Sequence, residues 1–163
     1  MLGDDNHVAL RVGPLPEKVG QVHLITVFST RLFASRGYLQ RRPSPRHAND
    51  LLNHDLIGRA DHDGQLRWVL RRGDKVAAIE TQRRLSLNDP DTTAVLIARD
   101  FGIGWLPHFL SKDGVADGRL VRCMQEWEAT PVELNALLPS AHSRSPKVMA
   151  LIEFLREAIG PAA

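Results

Sequence analysis

The residues best able to do chemistry in this chain are histidines, carboxylates and serines. Seven histidines occur among 163 residues. His47, His54 and His62 lie near Asp55, Asp61 and Asp63, which are the donor types of a transition-metal site. Six and then seven residues separate the successive histidines. Compact zinc motifs hold paired ligands roughly two to five residues apart. No metal site and no cofactor are therefore expected. Ser29, His23 and Asp89 could in principle supply a nucleophile, a base and an orienting acid. No Gly-x-Ser-x-Gly elbow and no phosphate-cradling Gly-x-x-x-x-Gly-Lys loop accompanies them. Gly102 and Gly104 in "FGIGWLP" lack the third glycine and the following helix start of a dinucleotide turn. No catalytic residue is assigned, and an enzyme is not expected.

The charged and sulfur-bearing residues exclude further classes. Net charge is +2, and nucleic-acid binding calls for a clustered basic face. The arginine clusters "QRRPSPR", "VLRRGDK" and "TQRRLS" fall instead in a loop, a hairpin turn and a strand start. They read as exposed turn residues. Cys123 is the single cysteine, so no internal disulfide forms and a reducing compartment fits. It sits in the alternating run "RLVRCMQEW" and reads as a buried core thiol. No apolar run reaches the ~18 residues a membrane span needs. The stretch "MLGDDNHVALRVG" has no basic region followed by an apolar one, unlike a signal peptide. A cytoplasmic protein with no membrane partner is expected. Apolar residues at 43% and charged residues at 25% match ordinary globular usage and argue against chain-wide disorder.

These groups must be positioned by regular elements. Residues 86–107, "SLNDPDTTAVLIARDFGIGWLP", predict a strand, a capped helix and a second strand. Asp89 is a good N-cap and Pro90 suits the first helical position. The helix is apolar on most sides, so it is expected buried, with Gly102 as its C-terminal stop. Strands are predicted at 7–13, 22–29, 30–35, 55–58, 102–107, 119–124 and 132–139, and a hairpin over 66–87. A short helix follows Ser35, and another starts at His108. After Ser145-Pro146, Val148, Leu151, Ile152, Leu155 and Ile159 mark one face of a terminal helix lying on a core. Strand, helix and strand in alternation predict an α/β sheet with helical crossovers. In such sheets ligands bind beyond the carboxyl ends of the strands. An anion is expected at the helix start Ser35-Arg36-Gly37 rather than at Asp89, whose own carboxylate occupies that position.

Seven motifs in order carry a resemblance: "VALRVGPLP" (8–16), "RLFASRGYL" (31–39), "LLNHDLIG" (51–58), "RLSLND" (84–89), "GIGWLP" (102–107), "DGRLVRCMQEW" (117–127) and "SPKVMALIEFL" (145–155). Together they resemble the C-terminal effector-binding domain of LysR-type transcriptional regulators. The resemblance implies a fold like the type 2 periplasmic binding proteins: two α/β lobes joined by two crossing segments, with a small-molecule cleft between them. It implies that residues 1–21 with 128–163 form a remnant of the first lobe, and that 22–127 form the second. It implies an effector contacted by Arg11, Gly13, Ser35, Arg36, Gly58, Arg59, Asn88 and Asp89. The two helix starts with Arg59 and Arg11 suggest a small carboxylate or aromatic acid. Full-length relatives bind DNA as oligomers through a winged helix-turn-helix. That head, a linker helix and two strand–helix units of the first lobe are not seen, so an N-terminally truncated domain that does not bind DNA alone is expected. The alternative is a stand-alone binding module without a DNA head. The family usually has proline and alanine at Arg36 and Gly37, and a small residue at Trp105.

Overall fold

The architecture follows from where apolar alternation can sustain a strand and where a cap or close approach forces the chain to turn. A computed structural model describes residues 8–15, 20–59, 63–82, 85–87, 89–139 and 145–159. In chain order its elements begin with β1 (Ala9–Val12), β2 (Gln21–Phe28), β3 (Thr30–Ser35) and α1 (Arg36–Arg41). A 3-10 helix (Ala48–Asn53), β4 (Leu56–Gly58), β5 (Gln65–Arg72), β6 (Lys75–Gln82) and β7 (Leu85–Ser86) follow. The remainder is α2 (Pro90–Ala98), β8 (Ile103–Pro107), α3 (His108–Ala116), β9 (Leu120–Arg122), β10 (Glu128–Ala129), β11 (Val132–Leu138) and α4 (Pro146–Ile159).

Two compact units result: Met1–Phe28 with Pro131–Ala163, and Ser29–Thr130. Against the expected span of 22–127, the second unit starts seven residues later, at Ser29, and ends three residues later, at Thr130. The reason is pairing: β2 runs antiparallel to β11, from Phe28 opposite Val132 to Gln21 opposite Leu138. That ladder ties residues 21–28 to the first unit.

The first unit is an antiparallel sheet in the order β1-β11-β2. Ile25, Leu134, Ala136 and Leu138 pack against Val148 and Ile152 of α4. The helix exists for the reason its spacing predicted, but its buried stripe is narrower than expected. Leu151 and Ile159 are 43% and 38% exposed, because the sheet beneath is three strands wide.

The second unit carries a five-stranded sheet in the order β7-β4-β8-β3-β9 and a small sheet in the order β10-β5-β6. β4 runs parallel to both β7 and β8, while β3 is antiparallel to β8 and β9. Strand periodicity sends successive side chains to opposite faces. Leu32, Ala34, Leu56 and Ile103 face a core with Leu51, Leu66, Trp68, Leu70 and Ile79. Phe33, Ile57, Leu106 and Leu120 face Ile97 of α2 on the other side. Covering both faces explains why the central strands read as continuous apolar runs.

Two details of α2 differ from the sequence reading. Thr93 and Ile97 are its buried residues, whereas Val95 is 53% exposed. One flank packs on β3, β4, β8 and α3, and the remainder faces outward. The helix stop is Asp100, not Gly102. Asp100 takes the left-handed conformation at φ 65°. Its N–H donates to the Ile97 carbonyl and that of Phe101 to the Leu96 carbonyl, the paired bonds of a left-handed helix terminus. Gly102 serves a different purpose. A Cβ there would stand 2.0 Å from the Asp55 carbonyl oxygen, which accepts from the Ile103 N–H at 2.9 Å. Gly104 lets α2 lie close on the sheet, since a Cβ there would meet Ile97 at 2.9 Å.

Candidate functional site

Strand order reverses at β4, which has β7 on one side and β8 on the other. Such a reversal opens a crevice beyond the carboxyl ends of parallel strands. A cavity of about 330 Å³ lies there, lined by Ile57, Gly58, Arg59, Trp68, Leu87, Asp89, Pro90, Thr93 and Trp105. Every one of these residues belongs to the second unit.

Each wall has a local cause. Gly58 ends β4, and its carbonyl accepts from the Leu87 N–H at 3.2 Å, carrying the β4–β7 pairing one step further. A Cβ on Gly58 would stand 3.1 Å from Leu66 and 3.3 Å from the Trp68 Nε1, so glycine is what admits the indole to the wall. Trp68 and Trp105 meet edge to face with ring centroids 5.4 Å apart, a favoured aromatic geometry. At the start of α2, the Asp89 carboxylate accepts from the Thr92 N–H at 2.7 Å and from the Thr92 hydroxyl. These bonds, the hydroxyl first, hold the Asp89 carboxyl below the usual carboxylate range. The Thr93 hydroxyl donates to the Asp89 carbonyl at 2.8 Å. Both threonine hydroxyls are therefore committed to the helix start. Arg59 is exposed and makes no hydrogen bond or ion pair with any described residue.

Of the residues expected to contact an effector, Gly58, Arg59 and Asp89 come together in this cavity. Asn88 lies outside the described residues. Ser35 and Arg36 stand elsewhere in the second unit, at the start of α1. The expected anion there turns out to be one of the protein's own carboxylates. The Ser35 hydroxyl accepts from the Tyr38 N–H at 3.0 Å and donates to Asp100. Arg41 reaches the same carboxylate at 3.0 Å. A Cβ on Gly37 would sit 2.5 Å from an Asp100 carboxylate oxygen, so the glycine makes room for the carboxylate. The Ser35 hydroxyl, and after it Arg41, holds the Asp100 carboxyl below its ordinary range. Arg36 is exposed, and its N–H donates to the Arg119 carbonyl at 3.4 Å. Arg11 and Gly13 lie in the first unit. Arg11 Nε donates to the Pro14 carbonyl at 2.7 Å. Gly13 adopts φ 87° and donates its N–H to the Glu133 carbonyl.

The cavity residues that sequence reasoning did not assign to the site are Trp68, Leu87, Pro90, Thr93 and Trp105. Trp68 reads only as one apolar member of an alternating strand. No spacing rule announces that a hairpin turns it toward Gly58. Other chemistry-bearing groups are placed conservatively. Cys123 is buried, and burial pushes its thiol up to about 11, where it is a poor nucleophile. His54 is held below its ordinary range by burial and by Arg42, with Nδ1 3.2 Å from the Tyr38 hydroxyl. No group of three or more potential metal donors converges among the described residues.

Comparison with known proteins resolves the family. The LysR substrate binding domain profile matches residues 2–160. The chain belongs to that family. It is 29% identical over 160 residues to the HTH-type transcriptional regulator PtxR of Pseudomonas aeruginosa, a match covering 98% of this chain and 51% of that protein. A regulator of the HTH type from Xanthomonas campestris is 27% identical over 159 residues, covering 95% of this chain and 46% of the relative. The chain thus spans about half the length of the curated relatives it matches. Among solved structures, the regulatory domain of AphB from Vibrio vulnificus superposes with a TM-score of 0.72 at 26% identity, covering 94% of this chain and 75% of that domain. The CrgA regulatory domain of Neisseria meningitidis, described as a LysR-type transcriptional regulator, shows the same fold with a TM-score of 0.77 at 20% identity, covering 94% and 75%. The chain is thus an effector-binding domain of a LysR-type regulator, with the periplasmic-binding-protein-like fold, in a family of transcriptional regulators rather than enzymes. Among the described residues no helix is long and apolar enough to cross a membrane.

Proposed function

We propose that this domain senses a small carboxylate or aromatic acid in the cavity at the carboxyl ends of β4 and β7, with Gly58, Arg59 and Asp89 among the contacts. The observation that carries the reading is the free Arg59 cation on the rim of an otherwise largely apolar cavity. Ligand sites of this kind combine an apolar lining with a few polar groups that fix orientation. The start of α1 is a poorer anion site, because Asp100 already fills it. In the whole regulator, effector binding would bias one arrangement of the protein over another by differential affinity. DNA reading would rest with a helix-turn-helix outside the matched domain, with the regulator acting as an oligomer in the cytoplasm.

Calorimetry of the chain against a panel of small acids and their neutral analogues tests the reading. Saturable binding of one or more acids, weakened in Arg59→Gln, is the expected result. Binding of neutral compounds alone would contradict it.

A further inference from the structure

The Trp68 indole joins a buried ring to a free donor. It is 94% buried, with 6% exposure, and its N–H finds no acceptor among the described residues. The ring is buried but its nitrogen is not, so the N–H stays open to an outside acceptor, which a tryptophan donor usually takes. Here the ring sits in the cavity wall, and Nε1 is the indole atom nearest to where a Gly58 Cβ would stand, 3.3 Å away. With no Cβ at Gly58, that residue puts no side chain over the Nε1 edge, and both residues line the cavity.

We propose that the Trp68 N–H and the Arg59 guanidinium together receive the carboxylate of an aromatic acid, whose ring lies against Trp105. This deepens the effector reading above and rests on it. Arg59 supplies charge, while the indole N–H supplies a directional donor that cannot be deprotonated. Charge-assisted bonds of this kind are roughly twice as strong as neutral ones. Trp105 is half-buried and braced edge to face by Trp68, so it offers a rigid aromatic surface. Asp89 is the one acidic group among the lining residues, and Thr92 holds its charge at the helix start. It repels a ligand carboxylate from that end and turns it toward Arg59. The wall therefore selects a flat ring bearing one acid group over a neutral ring or a saturated acid.

The chain has three tryptophans, so an isotope-labelled sample gives three indole N–H signals. Trp105→Phe and Trp127→Phe assign them by elimination. Benzoate, benzamide and cyclohexanecarboxylate are the probes. Benzoate is expected to move the Trp68 indole proton downfield in a saturable way and to bind about tenfold or more weaker to Arg59→Gln and Trp68→Phe. Benzamide and cyclohexanecarboxylate should bind more weakly than benzoate. Arg59 is exposed, so Arg59→Gln remains informative if Trp68→Phe disturbs the core. Three outcomes overturn the proposal: no response to benzoate, a response confined to Trp127, or equal binding of benzamide. A neutral compound that moves the Trp105 and Gly58 signals but leaves the Trp68 indole proton in place removes the acid while keeping the sensing site. If no member of a broad metabolite library moves any cavity signal, the sensing reading itself fails.

Discussion

At the residue scale, the most informative group is Asp100. A left-handed aspartate costs more than glycine at a helix terminus, yet here its carboxylate accepts from Ser35 and Arg41. The position trades backbone comfort for three-way cross-linking of β3, α1 and the end of α2. Spacing analysis found the receiving end, Ser35-Arg36-Gly37, because a hydroxyl, a cation and a glycine at a helix start form a recognisable local pattern. It missed the occupant, because Asp100 is 65 residues from Ser35 in the chain. Two consequences can be measured. Gly37→Ala places a methyl 2.5 Å from an Asp100 oxygen, and overpacking of this sort costs about 1–3 kcal/mol. Urea unfolding should show that loss. Asp100→Asn keeps the shape and removes the charge. Because the folded-state pKa of Asp100 is lowered, its stabilisation is present above the unfolded carboxyl value near ~3.9 and is lost as pH falls through the lower folded value. The stability gap between wild type and Asp100→Asn should therefore be full at neutral pH and shrink as pH drops below about 4. A gap that stays constant down to pH 2 would mean the carboxylate carries no such linkage.

At the scale of elements, close approach governs what the sequence could and could not reveal. Long periodic segments were legible: β2, β3, β5, β6, β11 and α4 all lie where alternation or helical spacing placed them. The two-residue strand β10 was not, because a pair of residues carries no period, whereas the equally short β7 was expected only because a capped helix and a second strand follow it. The reading of Gly102 as a helix stop failed for a related reason. Glycine after a helix signals either a left-handed cap or a tight contact, and sequence alone does not separate them. The structure does, and the two glycines of "GIG" then predict unequal costs. At Gly104 the nearest obstacle is the flexible Cδ1 of Ile97, at 2.9 Å, with the Ile57 carbonyl at 3.1 Å. Gly104→Ala should cost about 1–3 kcal/mol as α2 shifts slightly. At Gly102 the obstacle is backbone, 2.0 Å away, in the bond that joins β8 to the residue before β4. Gly102→Ala should be distinctly worse and should loosen the β4–β8 pairing on which the cavity depends. Thermal unfolding of the two variants side by side checks the order, and equal losses would refute it.

At the scale of the whole molecule, the two units differ in how completely their apolar surface is covered. In the second unit both faces of the five-stranded sheet are packed. In the first, the register sets Leu10 opposite Ala136 and Val12 opposite Leu134, so these two side chains of β1 share the face on which α4 lies. Yet Leu10 and Val12 are 52% and 61% exposed, because α4 covers β2 and β11 and stops short of the β1 edge. Arg156 fixes the roll of the helix by donating to the Leu24 carbonyl at 2.9 Å, on the β2 side. Helical spacing puts Leu151 and Phe154 on the other flank, where Phe154 is 62% exposed. Leu10, Val12, Leu151 and Phe154 thus leave exposed apolar surface beside a strand edge that pairs with no other described strand, a combination that favours association and local opening. Solved regulatory domains of the family extend beyond the part this chain matches, with coverage of 75% in the AphB and CrgA domains. Amide exchange should therefore proceed faster in β1, β2, β11 and α4 than in β3, β4 and β8, since local stability follows packing. Sedimentation should show concentration-dependent association that falls in a Leu10→Lys, Phe154→Glu double variant. Equal protection across both sheets, together with a monomer unaffected by the two substitutions, would show that the first unit is as stable as the second despite its open face.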